Sequence, residues 1–267
     1  MESPRRNAEI LLSELLGIRA HEIYLAREMV MDGGTLGKYL DMIERRASGE
    51  PLAYVVGNAD FMGIVLSVQK GVFIPRPETE LLCEIALEHL AMVKSPLAAD
   101  ICTGCGAIAL ALTSFHPDAS CFGTDVSEKA IACARENARM LGLSDRTRFL
   151  EGHLTDPLES LDLEGKLDCV VANPPYVRDG DLGQLPVEIA EHEPLAALRG
   201  GVEGTLLYPR LIEGAAALLK RGGLIVLEVG DSSADDVSAL ISELGFTGVR
   251  VRDDLRSLPR FITGLRG

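Results

Sequence analysis

Basic residues are scarce in this chain: Lys and Arg number 26 against 40 Asp and Glu, a formal charge of −14 over 267 residues. Such a surface as a whole repels a polyanion, so nucleic acid is not expected as the main substrate. No apolar run reaches the roughly 18 residues of a membrane span, and no basic n-region leads into an apolar h-region at the start. A soluble cytoplasmic protein without a membrane partner is therefore expected. Six cysteines are present, but Cys83, Cys102, Cys105, Cys121, Cys133 and Cys169 do not follow the spacing of a secreted disulfide framework. Cys102-Thr-Gly-Cys105 has the form of half a zinc or redox site, yet no second Cys or His pair follows at ligand spacing, so no metal is expected. Internal repeats and low-complexity tracts are also missing.

What is present centres on Leu97-Ala-Ala-Asp-Ile-Cys-Thr-Gly-Cys-Gly-Ala-Ile-Ala-Leu-Ala-Leu112. A buried strand is predicted to break at Thr103-Gly104-Cys105-Gly106 and to resume as an apolar helix. A glycine turn at such a junction brings backbone N–H groups and a helix N-terminus up to a ligand. The dinucleotide fingerprint G-x-G-x-x-G is met only in a relaxed form, since Ala109 stands third. Asp125, ending the next strand, suits a ribose in either reading. Asp100 precedes the glycines, where it suits a ligand ammonium, a group that NAD does not have. The loop, with Cys102, Thr103, Gly104 and Gly106, thus looks like the S-adenosylmethionine site of a Rossmann-like methyltransferase, with a dinucleotide site or a structural turn as alternatives.

A second signal follows the strand Leu167–Ala172: Asn173-Pro-Pro-Tyr176. Two prolines end the strand and hold the chain extended, at the strand ends where open parallel sheets bind ligands. The Asn173 side-chain carbonyl and the carbonyl of Pro174 can accept the two N–H protons of a planar NH2, while Tyr176 can lie against the planar group or near a sulfonium. Catalysis by orientation and electrostatics is expected. The motif fits methylation of a planar nitrogen and does not choose between protein amides and nucleic-acid bases.

The chain resembles the protein-(glutamine-N5) methyltransferases that modify the Gly-Gly-Gln motif of bacterial peptide chain release factors. The resemblance rests on Glu50-Pro-Leu-Ala-Tyr54, Gly57 with Phe61-Met-Gly63, Phe73-Ile-Pro-Arg-Pro-Glu-Thr-Glu80, the Asp100 to Leu112 loop, Asn173-Pro-Pro-Tyr176, Glu193-Pro194 and Arg260-Phe-Ile-Thr-Gly264. It implies S-adenosylmethionine as cofactor and release factors as partners. It also implies a pocket in which Phe73, Pro75, Pro174, Pro175 and Tyr176 join Asn173 around the glutamine. The family usually has Gly and Ser at Cys102 and Cys105, Asp near His153, and Gly-x-Asp-Gly at Gly201-Val-Glu-Gly204. His153 follows the third strand, where it either contacts adenine or is an ordinary loop residue. The alternatives left open are an N-methyltransferase of a small amide or amine or of a nucleic-acid exocyclic amine, and a non-catalytic S-adenosylmethionine-binding protein.

Along the chain, helical periodicity over 8–19, Glu22 to Met31 and Leu36 to Arg46, punctuated by Gly33-Gly34, predicts a small helical domain. A β-hairpin is read over Phe61 to Phe73. Glu78 and Glu80 read as first-turn residues of a helix, and Arg76 as a partner for an acidic group shaping the pocket wall. The excursion 178–197 carries five acidic residues beside the catalytic loop and reads as a lid. The fold expected is α/β: a seven-stranded, mostly parallel Rossmann-like methyltransferase sheet. The division is a recognition domain over 1–57, a hairpin linker over 58–75 and the methyltransferase domain over 76–267, acting as a monomer.

Overall fold

The computed structural model describes residues 3–25 and 29–267. Helix α1 (Pro4–Leu16) has Pro at its first position, where the missing N–H costs nothing. A short 3-10 turn at Ala20–Tyr24 follows. The helix expected over Glu22 to Met31 is not found on the described part of that stretch, and residues 26–28 lie outside the described residues. Helix α2 (Gly33–Ala47) begins at the very glycine pair that reads as a break. The Asp32 carboxylate explains this, accepting the amides of Gly34 and Thr35 at 2.8 and 3.0 Å. Such a cap is worth about 1 kcal/mol, enough to offset much of the cost of glycine in the first turn. The short α3 (Leu52–Val56) then leads into a hairpin.

The hairpin strands are β1 (Asn58–Phe61) and β2 (Ile64–Ser67), earlier than the expected Phe61 to Phe73. Phe61 pairs with Ile64, so Met62-Gly63 alone makes the turn, at φ 52° and 77°. Both central residues being left-handed, this matches the twist of two antiparallel strands. Met62 is held there by Glu80, which accepts its amide at 2.8 Å. Glu80 thus ties the hairpin to the next helix in addition to occupying its first turn.

The remaining elements are α4 (Pro77–Leu90), β3 (Leu97–Ile101), α5 (Ala107–Phe115), β4 (Ser120–Asp125), α6 (Glu128–Met140), β5 (Thr147–Glu151), α7 (Asp156–Glu159), β6 (Leu167–Ala172), α8 (Val187–His192), α9 (Tyr208–Leu218), β7 (Leu219–Glu228), α10 (Ala234–Glu243), β8 (Phe246–Asp253) and β9 (Pro259–Arg266). They form a seven-stranded sheet of order β5-β4-β3-β6-β7-β9-β8. β9 runs antiparallel to both neighbours, and the pairs from β5 to β7 are parallel. One face is covered by residues such as Leu82, Leu110, Ile131 and Phe149, with Phe61 and Leu66 of the hairpin joining them. Tyr208, Leu211, Ile212 and Ile241 cover the other. Every residue of β6 is buried, as expected of a central parallel strand with helices on both sides.

The chain runs outward from β3 through β4 to β5, then crosses back to lay β6 against the other side of β3. Loops leaving β3 and β6 diverge there, opening a crevice at the strand ends. Both sequence motifs lie on those two loops. Among the described residues, no helix is long and apolar enough to cross a membrane, and no group of three or more His, Cys, Asp or Glu is placed to hold a metal ion.

Candidate active site

A cavity of about 310 Å³ occupies this crevice. One wall is the turn after β3, where Cys102, Gly104 and Gly106 all take left-handed φ, at 64°, 56° and 86°. Cys102 therefore adopts a conformation that glycine reaches without strain. Cys102, Thr103, Gly104 and Cys105 line the cavity, whereas Gly106 begins the helix behind it. The turn is braced from two sides. Asn137, fully buried on α6, donates to the carbonyls of Cys105 and Ser67 at 2.9 and 3.0 Å and accepts the Ser67 amide at 2.8 Å, linking loop, helix and hairpin. Asp125 accepts the amides of Gly104 and Ser127 at 3.0 and 2.9 Å.

Asp125 lines the cavity, and burial raises its carboxyl above the usual range against the pull of those amides. An ionised carboxylate offers about four lone-pair sites, so acceptor capacity remains for a ligand hydroxyl. Asp100 is placed differently. It is completely buried and does not line the cavity. Its Oδ2 accepts the Thr103 hydroxyl at 2.5 Å and the Ala109 amide at 3.1 Å, holding the turn against the helix. Its Oδ1 has no partner among the described residues, and burial pushes its pKa up to about 7. His153, exposed two residues past the end of β5, also lines the cavity.

Phe73 and Pro75 also line the cavity, with Asn173 and Pro175 from the loop after β6. Pro174 and Tyr176 do not line the cavity. The Tyr176 ring lies 5.5 Å from the Arg260 guanidinium, and its hydroxyl donates to Glu228 Oε1 at 3.3 Å. The turn at Gly200–Gly204 supports this loop from outside. Gly204 has φ 75°, and a Cβ there would lie 2.5 Å from the Tyr176 carbonyl oxygen, so the backbones meet where no side chain fits. The 178–197 excursion reaches the cavity through Pro194, Ala196 and Ala197. It is strapped down by two ion pairs, Arg46 with Glu188 and Arg76 with Glu193. The acidic partner expected for Arg76 is thus Glu193.

Two residues of the hydrogen-bond network behind Asn173 escaped the sequence reading. Thr79, in the first turn of α4, lines the cavity and accepts a hydrogen bond from Asn173 Nδ2 at 3.1 Å. Glu228, at the end of β7 and 2% exposed, accepts the Thr79 hydroxyl at 2.8 Å. Thr79 lay inside the Phe73 to Glu80 segment already singled out. For Glu228 the available signal was a lone carboxylate closing an apolar strand.

The residues present fit S-adenosylmethionine. A turn with open backbone at Gly104, where a Cβ would meet nothing within 4 Å, adjoins apolar lining from Val72, Ile108, Val126 and Leu154, and Asp125 keeps acceptor capacity beside it. A doubly wound sheet with this pocket at its switch point, and Asn-Pro-Pro closing it, defines an S-adenosylmethionine-dependent methyltransferase. A family model described as PrmC N-terminal domain matches residues 1–57, and one described as Methyltransferase small domain matches residues 65–191. The release factor glutamine methyltransferase of Moorella thermoacetica is 40% identical over 92% of this chain and 85% of its own length. That of Clostridium acetobutylicum is 35% identical over 98% and 91%. The chain belongs to the release factor glutamine methyltransferase family. Among solved structures, the T. thermophilus 16S rRNA N2 G1207 methyltransferase, in complex with AdoMet and guanosine, shares the fold at TM-score 0.57 and 20% identity, over 79% of this chain and 50% of that one.

Calorimetry is expected to show binding of S-adenosylhomocysteine and no comparable heat with NAD. Tight NAD binding without a response to S-adenosylhomocysteine would contradict the cofactor assignment.

Proposed function

We propose that this enzyme methylates N5, the side-chain amide nitrogen, of the glutamine in the Gly-Gly-Gln motif of peptide chain release factors. The observation that carries this reading is likeness to proteins named release factor glutamine methyltransferase over nearly the whole chain. S-adenosylmethionine, when bound, supplies an electrophilic methyl group on a sulfonium. The chain's own task is to present a poor nucleophile in the one orientation that reacts. Asn173 Oδ1 and the carbonyl of Pro174, which itself does not line the cavity but stands between the lining residues Asn173 and Pro175, accept the two amide N–H groups, which turns the face of the nitrogen toward the cofactor. Phe73, Pro75 and Pro175 restrict the amide plane, and Tyr176 steadies the loop through Glu228 and Arg260. On the cofactor side, Cys102, Thr103 and Gly104 form the cradle and Asp125 receives the ribose. His153 borders the adenine, and Asp100 and Gly106 hold the cradle from behind. Orientation of this kind contributes through translational and rotational freedom already given up on binding; the N–CH3 bond would form as the S–CH3 bond breaks, with S-adenosylhomocysteine leaving and one N–H proton released to solvent.

Residues 1–57 serve in recognition of the factor, 58–75 link, and 76–267 carry the chemistry. The enzyme works in the cytoplasm as a monomer, with neither nucleic acid nor membrane as a main partner; the formal charge of −14 supports this part of the reading. The test is mass spectrometry after incubation with cofactor and purified release factor, beside total tRNA and DNA and a metabolite extract. A mass gain of one CH2 on the Gly-Gly-Gln glutamine is the expected result. An unmodified factor beside a methylated nucleotide or metabolite would overturn the proposal.

A further inference from the structure

An asparagine side chain is nearly symmetric in shape and opposite in chemistry at its two ends, so a site that needs its oxygen must prevent the amide from turning over. Asn173 has its Nδ2 against Thr79 Oγ1 at 3.1 Å, and Thr79 Oγ1 is 2.8 Å from Glu228 Oε2. An ionised carboxylate can only accept. The single hydroxyl proton of Thr79 therefore goes to Glu228, which leaves Thr79 only lone pairs to offer Asn173. The amide must answer with its NH2 group, and its carbonyl oxygen is then left for the cavity. We propose that Thr79 and Glu228 are positioning residues for methyl transfer, a relay that fixes Asn173 as a hydrogen-bond acceptor and so selects a substrate NH2. This rests on amide transfer as the reaction.

The relay explains why a carboxylate is buried at the end of β7, a place where charge is costly unless it is partnered. Its polar partners favour the ionised form, against the burial that opposes it. Tyr176, on the loop after β6, donates to Oε1 at 3.3 Å. The Arg260 guanidinium on β9 favours the charge, whereas Glu78 on α4 opposes it. Tyr208 of α9 is spent on the Glu228 backbone carbonyl at 2.8 Å and so does not compete for the carboxylate. Burial outweighs the favourable contacts and raises the Glu228 pKa above the ordinary carboxylate range. Once protonated, the carboxyl can donate to Thr79, whose own proton then turns to Asn173. The amide is free to rotate and to offer a donor where the substrate also brings donors. Turnover should fall as pH drops through the Glu228 pKa, with the relay polarity intact above it.

The experiment measures kcat and KM for release factor methylation, with S-adenosylhomocysteine affinity by calorimetry, in Thr79→Val, Thr79→Ser and Glu228→Gln. Thr79→Val, which keeps the shape and removes the relay, should lower kcat by roughly tenfold to a hundredfold, as loss of partners that orient ligands does at metal sites. KM and cofactor affinity should stay near the wild-type values, and Thr79→Ser should restore the rate. Glu228→Gln, with no carboxyl to titrate, should lose the acid limb of the kcat profile. This variant also decides the matter if Thr79→Val does not fold. Wild-type kcat in Thr79→Val, equal losses in Thr79→Val and Thr79→Ser, or an unchanged acid limb in Glu228→Gln would each overturn the relay. Failure of the wild-type enzyme to methylate release factor would instead overturn the underlying reaction.

Discussion

Asn173→Ala is expected to lower turnover by roughly a hundredfold to a thousandfold, the loss commonly seen when one preorganised partner of the transition state is removed. The substitution deletes one of the two acceptors proposed for the substrate NH2, so the amide keeps its pocket but loses its orientation. S-adenosylhomocysteine affinity should change little, because the turn at Cys102–Gly104 and Asp125 stand on β3 and β4 and do not depend on Asn173 for their hydrogen bonds. Stability should fall by only about 1 kcal/mol, since the bond lost joins a half-buried amide to Thr79. Asn173→Asp is a sharper control. It retains an acceptor toward the cavity but sets a second acceptor against the Thr79 lone pairs, so it should also be slow. Rates measured at saturating cofactor and factor decide this, and a wild-type rate in Asn173→Ala would remove Asn173 from the mechanism.

The parts of the site legible in the sequence are the parts made by neighbours in the chain. The Thr103–Gly106 turn and Asn173-Pro-Pro-Tyr176 each concentrate their chemistry in four residues. The alternating strands and helices that flank them imply a parallel sheet, whose switch point brings the two motifs together. The network behind them is not local. Asn173 meets Thr79 across 94 positions, Arg76 meets Glu193 across 117 and Thr79 meets Glu228 across 149. Each of these side chains has an adequate local reading, such as a first-turn residue or a strand end, and only the fold sets them face to face. The misplaced elements have local causes as well. Asp32 outweighs Gly33-Gly34 as a helix start, and the contact from Glu80 stabilises a left-handed Met62 that residue type alone disfavours.

Arg76→Ala should be the most destabilising single change at the mouth of the site, costing about 3 kcal/mol or more, the range for breaking a buried ion pair. The asymmetry of the pair makes the prediction specific. The Glu193 side chain is 1% exposed, whereas that of Arg76 is 27% exposed. Without Arg76, the carboxylate is left in the interior with, among the described residues, the Ile74 amide at 3.3 Å as its hydrogen-bond partner. Without Glu193, the guanidinium can still reach water and keeps its place over the Phe73 ring at 4.8 Å, so Glu193→Ala should cost less. Replacing both, as Arg76→Met with Glu193→Leu, removes the unpaired charge and should recover much of the stability lost in Arg76→Ala. Activity should not recover with it. The pair joins the Phe73 to Pro75 wall to the 178–197 excursion that faces it, and an apolar contact does not hold that spacing as closely, so KM for the release factor should stay raised in the double variant. Urea unfolding and steady-state kinetics on the three variants separate the two effects. A larger stability loss in Glu193→Ala than in Arg76→Ala would show that the buried carboxylate is not the costly partner.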